Sequence, residues 1–128
     1  MGDMAKYQIR SRANVPQRIH LIDPATGEQT DDWLDIVSSL SDAFRKAHET
    51  ALQEAGAMSA ERDEAKRKDG IELAKRTMQS SLVAGWSFDQ PCTPENVGAF
   101  LHEAPQIVAM IVNVADDNAR FFRVALLA

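Results

Sequence analysis

The sequence predicts a mainly α-helical domain with a small N-terminal β-hairpin, an α+β fold with about four helices. A strong turn signature separates two short apolar runs near the N-terminus, and apolar residues with helical spacing follow. Its 128 residues fit one domain. We expect a polar arm at residues 1–17, a single domain at 18–122 and a frayed tail at 123–128.

The composition limits the classes of function. Hydrophobic residues make up 45% of the chain and charged residues 26%, which is typical of a globular protein. A formal net charge of −5 disfavours binding to a nucleic-acid backbone, which needs clustered Lys and Arg. The N-terminus lacks the apolar core of a signal peptide, and the longest apolar stretch, 107–112, is too short to span a bilayer. We therefore expect no nucleic-acid or membrane partner and a cytoplasmic location.

The hairpin is the first predicted element. Residues 18–22 form a short apolar run, and Asp23-Pro24-Ala25-Thr26-Gly27 is a strong turn signal because Pro presets φ and Gly accepts positive φ. A second apolar run at about 33–38 is its expected partner. A two-stranded hairpin is marginal alone, so it should lie on the helices that follow.

A helical pattern covers residues 41–84. Ser41 and Asp42 are good cap residues, and the apolar face that follows contains Phe44, Ala47, Ala51, Leu52 and Ala55. Gly56 is a plausible stop, after which Ser59 could cap a second helix. The pattern leaves open whether this segment is one long helix or two.

Two more helices are predicted beyond a break at residues 85–91. Thr93 followed by Pro94 is typical of a helix start, with Thr as the N-cap and Pro at the first position. Pro105 begins a last helix, which we expect to run to about Phe122. The apolar residues after it are terminal and are expected to fray.

No pattern in the sequence predicts catalysis, a cofactor or a metal. His20, His48 and His102 fall on three different predicted elements, without the spacing of metal ligands. Cys92, the single cysteine, has no base near it in the sequence. The charged run 61–69 balances four bases against four acids, which indicates a solvated helix face.

Four aromatic residues are the candidate partner-binding residues. Trp86 and Phe88 lie together in the break between helices, where they either plug the end of the helical domain or project as an anchor for a partner. Phe121 and Phe122 are adjacent near the C-terminus. Since adjacent helical residues point about 100° apart, one of them should face away from the core and form part of an apolar contact patch.

An ordered set of motifs spans about residues 18–122. It comprises Asp23-Pro24-Ala25-Thr26-Gly27-Glu28, Ser41-Asp42-Ala43-Phe44-Arg45, a charged helix, Leu82-Val83-Ala84-Gly85-Trp86-Ser87, Cys92-Thr93-Pro94-Glu95-Asn96, Phe100-Leu101 with Ala104-Pro105, and Asn118-Ala119-Arg120-Phe121-Phe122. In this order the motifs resemble the tail assembly chaperones of long non-contractile-tailed bacteriophages and related prophages.

The resemblance implies a non-catalytic function. Chaperones of this type coat the long, apolar tape-measure protein, keep it soluble and help recruit the tail-tube protein. The resemblance therefore implies these two partners, a location in the host cytoplasm and absence from the mature virion. Short apolar helix faces in a chain of this size also favour self-association.

Other readings stay open beside the resemblance. The alternative function is a structural virion protein of the tail or neck, although a tube subunit should contain many more strands. A small enzyme or DNA-binding regulator is disfavoured by the acidic charge and the lack of ligand clusters. The resemblance also implies a programmed frameshift, for which Arg120-Phe121-Phe122 could supply slippery codons. The nucleotide sequence tests this, and chance adjacency of two Phe residues is the equal alternative.

Overall fold

The computed structural model describes residues 2–123 as six α-helices and three strands, after a 3-10 turn at Met4–Tyr7. The predicted mainly helical α+β class is confirmed. In chain order the elements are α1 (Arg10–Ala13), β1 (Gln17–Ile22), β2 (Gln29–Ile36), α2 (Asp42–Met58), α3 (Glu64–Ser80), β3 (Val83–Trp86), α4 (Pro94–Glu103), α5 (Pro105–Ala115) and α6 (Asn118–Phe122).

The predicted hairpin is present as β1 and β2, which pair antiparallel from Gln17↔Ile36 to Ile22↔Gln29. Its turn is closed by two backbone bonds, in which the Asp23 amide donates to the Glu28 carbonyl and the Gly27 amide donates to the Asp23 carbonyl, both at 2.8 Å. Gly27 has a φ of 75°, which only Gly adopts without strain. Because the turn is this tight, β2 begins at Gln29 and not near residue 33 as predicted.

A third strand replaces the predicted end of the long helical segment. The prediction that helix continues to residue 84 is wrong, because α3 ends at Ser80 and β3 pairs antiparallel with β2. The Val37 amide donates to the Leu82 carbonyl at 2.9 Å, so the chain enters the sheet directly after the helix. The sheet order is β1-β2-β3, and burial of Leu82 and Val83 outweighs the helical spacing of Leu82 with Met78.

Residues 42–80 form a helical hairpin of two helices, which resolves the choice between one helix and two. Gly56 does not end the first helix, which continues to Met58. Ser59 caps that helix at its C-terminus, and Asp63 is the N-cap of α3, where its carboxylate accepts from two backbone amides. Gly70 lets the helices approach closely, since a Cβ there would lie 2.7 Å from Cε of Met58.

The C-terminal helices follow the predicted starts but not the predicted end. The Thr93 hydroxyl accepts from the Asn96 amide at 3.2 Å and so caps α4. The predicted last helix from Pro105 to Phe122 is wrong as one piece, because it breaks at Asp116 and Asp117. Asp117 caps the separate helix α6.

None of the helices in residues 2–123 is long and apolar enough to cross a membrane alone. Helices α4 and α5 pass that test only when they are taken together, and they are bent by 117°.

The core lies between the inner face of the sheet and helices α4, α5 and α6. Its most enclosed side chains are aliphatic and include Leu34, Ile36, Val97 and Ile111. Helix α2, in contrast, contains no fully buried residue. The expected N-terminal arm includes α1, whose Ala13 is buried; residues 124–128 of the expected tail lie outside the described part of the chain.

Candidate partner-binding surfaces

Three aromatic side chains form one cluster on the surface. Trp86 packs edge-on against Phe88 and Phe100, with ring centroids 5.3 and 5.8 Å away, and the two Phe rings are 5.2 Å apart. With Gln90, Asn96 and Ala99 they line a concavity of about 310 Å³, here called the aromatic pocket. Contacts between aromatic rings stabilise a fold by more than the burial of their apolar area alone.

The position of these aromatic rings follows from the end of β3. The Ser87 amide donates to the Trp33 carbonyl at 3.1 Å, and the Ser87 hydroxyl accepts from the Trp33 amide at 2.9 Å. The Trp86 indole N–H donates to the Gln90 carbonyl at 2.8 Å. Trp86 and Phe88 are half-buried and pack against the core, so each fills the edge of the core with one side and lines the pocket with the other.

The second predicted aromatic pair lies elsewhere, on α6. Phe121 is only 6% exposed and belongs to the core, whereas Phe122 is half-buried. Arg12 of α1 donates to the Phe122 carbonyl at 2.9 Å, which holds this helix end. The structure thus brings Trp86 together with Phe88, but it does not place Phe121 and Phe122 in the aromatic pocket. The partner-binding role of all four residues stays a prediction, and burial leaves Phe121 little surface for it.

A larger groove lies over α3, between α2 and α4. Both helices pack against α3, which forms the floor, and one part of the groove has a volume of about 460 Å³. A second part, of about 210 Å³, continues between α2 and α3 and shares Glu54 and Thr77 with the first. This surface is the three-helix groove, and its principal lining residues are Ala43, Lys46, Ala47, Thr50, Ala51, Glu54, Leu73, Ala74, Arg76, Thr77, Pro94, Glu95, Gly98, Ala99 and His102.

Small side chains make up much of the groove lining. Ala47 and Ala51 line the smaller part, between α2 and α3, whereas Gly98 and Ala99 line the larger part, to which α2 contributes Glu54. Leu73 projects into the groove and is 60% exposed. An apolar side chain in a concave, small-residue surface favours an apolar ligand.

Within residues 2–123 the charged residues on the groove rim take part in none of the salt bridges. In residues 2–123 the ion pairs join Arg10 to Asp42, Arg18 to Asp35, and Arg120 to Asp117. None of these pairs includes Lys46, Glu54, Arg76 or Glu95, the charged groove residues. Their charges are therefore available to a ligand.

The sequence interpretation missed this groove, although part of its signal was present. The sequence predicts Ala47 and Ala51 on the apolar face of this helix, together with Leu52. The structure places both alanines on the side where α2 meets α3, but Leu52 is 61% exposed. The groove also needs α4, whose approach to Arg76 and Ser80 through Gly98 no local pattern predicts.

The outer face of the sheet has a separate cluster. The Arg18 guanidinium lies 3.5 Å from the centre of the Trp33 ring and donates twice to the Asp35 carboxylate. These hydrogen bonds raise the pKa of Arg18.

The exposed thiol of Cys92 is not activated by its surroundings. Desolvation by nearby protein atoms, and then the charge of Asp35, raise the pKa of this thiol, so it is a weak nucleophile at neutral pH.

The groups needed for metal chemistry do not come together in residues 2–123, where no three His, Cys, Asp or Glu side chains are placed to hold a metal ion. Buried side-chain polar atoms in the same range all have hydrogen-bond partners. No protein-family model, curated protein or solved structure matches this chain. The surfaces themselves are therefore the basis for assigning a function.

Proposed function

We propose that this protein is a phage tail assembly chaperone that binds helical segments of the tape-measure protein, keeps them soluble and helps recruit the tail-tube protein in the host cytoplasm. The observation that carries the proposal is the three-helix groove. Helices α2 and α4 both pack against α3, and residues of all three line the concavity over α3.

The shape of the groove suits an amphipathic helix. Helix-in-groove recognition inserts the apolar face of one helix into a concave surface, and small residues on the walls let the helix backbone come close. Leu73 would be covered by such a helix, which removes its apolar surface from water.

The helical hairpin of α2 and α3 is suited to a reversible contact. Helix α2 contributes no fully buried residue and contacts the core through the half-buried Phe44 near its start, so the rest of the helix can adjust with little loss of core burial. A chaperone that must later leave its client needs modest affinity at each site, and many copies along one client supply avidity. The net charge of −5 supports this use, because charge keeps a protein–client complex soluble.

The test is co-expression with the tape-measure protein of the same phage or prophage. The expected result is that the client becomes soluble and co-purifies with the chain. Leu73→Asp puts a carboxylate on the floor of the groove and should reduce co-purification at least tenfold, since burial of an unpaired charge is costly. Retention of full binding by this variant would contradict the proposed site.

Leu52→Asp is the matched control. Leu52 is 61% exposed and Leu73 is 60% exposed; both are leucines within long helices, but Leu52 does not line the groove. We expect Leu52→Asp to bind the client like the unmodified chain. Circular dichroism of both variants checks that the helices are intact.

The alternative function, a structural protein of the tail or neck, is tested on purified particles. A chaperone should be absent from the mature virion, and a structural subunit should be abundant in it. Quantitative mass spectrometry of particles separates the two. Detection of many copies of this chain per particle would refute the chaperone proposal.

A further inference from the structure

The segment before α1, residues 2–9, is here called the N-terminal segment. It contains the two most exposed large apolar side chains of the described chain, Met4 and Tyr7, at 75% and 72%. Both lie in the 3-10 turn at Met4–Tyr7, which contains no buried residue. Lys6 lies between them in the sequence, and its Nζ is 5.8 Å from the centre of the Tyr7 ring. The segment therefore presents an aromatic ring and a positive charge side by side to solvent.

The aromatic pocket borders a second concavity of about 310 Å³, since Phe88 and Phe100 line both. This second concavity also has two carboxylates in its lining, those of Asp23 and Asp32, and is here called the acidic concavity. Neither carboxylate takes part in a salt bridge within residues 2–123, and no Lys or Arg is among the described residues that line either concavity. An aromatic hollow therefore adjoins uncompensated negative charge.

The aromatic pocket has the size and the polar groups that a tyrosine side chain requires. Its volume of about 310 Å³ is at the lower end for a ligand site, which suits a single ring. A buried tyrosine hydroxyl needs a hydrogen-bond partner, and the side chains of Gln90 and Asn96 lie in the pocket lining. Aromatic rings also pack favourably edge to face with other aromatic rings, and three rings line this pocket.

The N-terminal segment is joined to the domain at the far end of the hairpin from the acidic concavity. The Ser38 amide, just beyond β2, donates to the Ala13 carbonyl at 3.3 Å, so α1 lies beside the start of β1. The acidic concavity instead contains Ile22 and Pro24, at the turn end of β1. The six residues of β1 span about 17 Å between these ends. The segment and the acidic concavity therefore face different neighbours.

We propose that the occupant of the aromatic pocket is the Tyr7 side chain of a second copy of this chain. The Lys6 ammonium group beside that ring then meets the opposite charge of Asp23 and Asp32. The contact joins two different surfaces of the protein and is therefore heterologous. Two copies can exchange their segments reciprocally, or further copies can add head to tail. This association does not depend on the tape-measure protein.

The size of the contact sets the strength of the association. The four residues of the turn cover far less surface than the roughly 1,200 Å² that stable protein interfaces bury, so each contact is weak. We expect the weight-average mass in sedimentation equilibrium to rise with concentration. A strictly monomeric protein at about 1 mM, where even millimolar affinity is visible, would overturn the proposal.

Two variants inactivate the two surfaces separately. Tyr7→Ser removes the ring from the segment, and Ala99→Arg places a long charged side chain over the pocket from an exposed helix position. Each should raise the dissociation constant at least tenfold, since buried aromatic anchors dominate small contacts. Tyr7→Phe, which keeps the ring, and Ala57→Arg, at an exposed helix position outside both concavities, are the matched controls. Unchanged association in either inactivated variant would overturn the proposal.

Mixing the two inactivated variants tests whether the contact is heterologous. The Tyr7→Ser chain keeps an intact pocket, and the Ala99→Arg chain keeps an intact segment. An equimolar mixture should therefore regain one contact and form pairs that contain one copy of each, although each variant alone stays monomeric. A mixture that remains monomeric would overturn the proposal, because a symmetric interface elsewhere would not be restored by mixing.

Charge exchange tests the place of Lys6. Lys6→Glu and Asp32→Lys should each weaken the association about threefold at low salt, since an exposed ion pair contributes modestly. Both changes in one chain restore opposite charges across the contact and should return the affinity to that of the unmodified chain. In about 1 M salt the differences should vanish through screening. Additive losses in the double variant would overturn the pairing of Lys6 with the acidic concavity.

Two further measurements separate this contact from the other possibilities. If Tyr7→Ser changes the tryptophan fluorescence of the dilute monomer, the segment binds the pocket of its own chain and the second copy is overturned. Capture of the tape-measure protein through Leu73 should be the same in Tyr7→Ser as in the unmodified chain. Failure of self-association therefore leaves the proposed function standing, and failure of capture leaves the contact between copies standing.

Discussion

The two halves of the molecule differ in how they are held together. Residues of β2, α4 and α5 provide the most enclosed side chains, such as Leu34, Val97 and Ile111. Helix α2 has none and packs mainly against α3, where Met58 lies against Gly70, and it reaches the core through the half-buried Phe44. A rigid core half therefore supports a thinly packed helical hairpin, and the proposed binding groove lies in the half with less burial. Surfaces that exchange partners tend to occur where local stability is low.

The largest expected effect is in the core half. Ile111 is 0% exposed, so Ile111→Ala should lower the free energy of unfolding by about 2–5 kcal/mol, through lost burial and a residual cavity. Leu52→Ala should change it by less than about 0.5 kcal/mol. Urea denaturation measures both. Similar losses in the two variants would show that the halves are equally packed.

Hydrogen exchange should show the same contrast without mutation. Amides in the middle of α2 are expected to exchange about a hundredfold faster than those of β2 and α5, because opening the hairpin exposes little core. Exchange followed by mass spectrometry resolves these segments. Protection of α2 equal to that of α5 would mean that the hairpin opens only with the whole domain.

A double-mutant cycle tests the contact between α2 and α3 in the helical hairpin. Gly70→Ala adds a Cβ within 3.0 Å of Cε and Cγ of Met58, which should offset the gain in helix propensity and leave stability changed by less than about 0.5 kcal/mol. In a Met58→Ala background the same change should stabilise by about 1 kcal/mol. Thermal unfolding of the four proteins gives the coupling. Additive effects would show that Met58 does not pack on Gly70.

The smallest effect concerns the link between α1 and α2. The Arg10 side chain donates to Asp42 at 2.8 Å and Asn14 donates at 3.0 Å. These hydrogen bonds, that from Arg10 first, lower the pKa of Asp42. A carboxylate with a lowered pKa in the folded state stabilises above its unfolded pKa, and this stabilisation is lost as the pH falls through the folded value.

We therefore expect stability to fall slightly below about pH 4, near the ordinary pKa of an Asp. Asp42→Asn should flatten part of that fall, and urea unfolding at pH 7 and pH 3 measures the difference. Asp63→Asn provides a comparison at another helix start without an ion pair. An identical pH response in Asp42→Asn and the unmodified chain would show that the hydrogen bonds to Asp42 do not contribute to folding stability.

Local chemistry in the sequence determined much of the fold. The Asp23–Gly27 turn predicts the hairpin because Pro and Gly restrict the backbone in a known way. Ser41 and Thr93 accept amide hydrogen bonds at the starts of α2 and α4, as their cap signals predict. The sequence also places Trp86 and Phe88 together in the break between helices, and both line the aromatic pocket.

Only the tertiary structure decided three features: strand β3, the break between α5 and α6, and the three-helix groove. Leu82 has helical spacing with Met78, but the chain leaves the helix at this point and Val83 pairs with Ile36 on the edge of β2. Phe121 points into the core because Asp117 starts a new helix. The three-helix groove needs α2 and α4 on opposite sides of α3, and such long-range packing depends on burial across the whole chain, which spacing along the sequence does not encode.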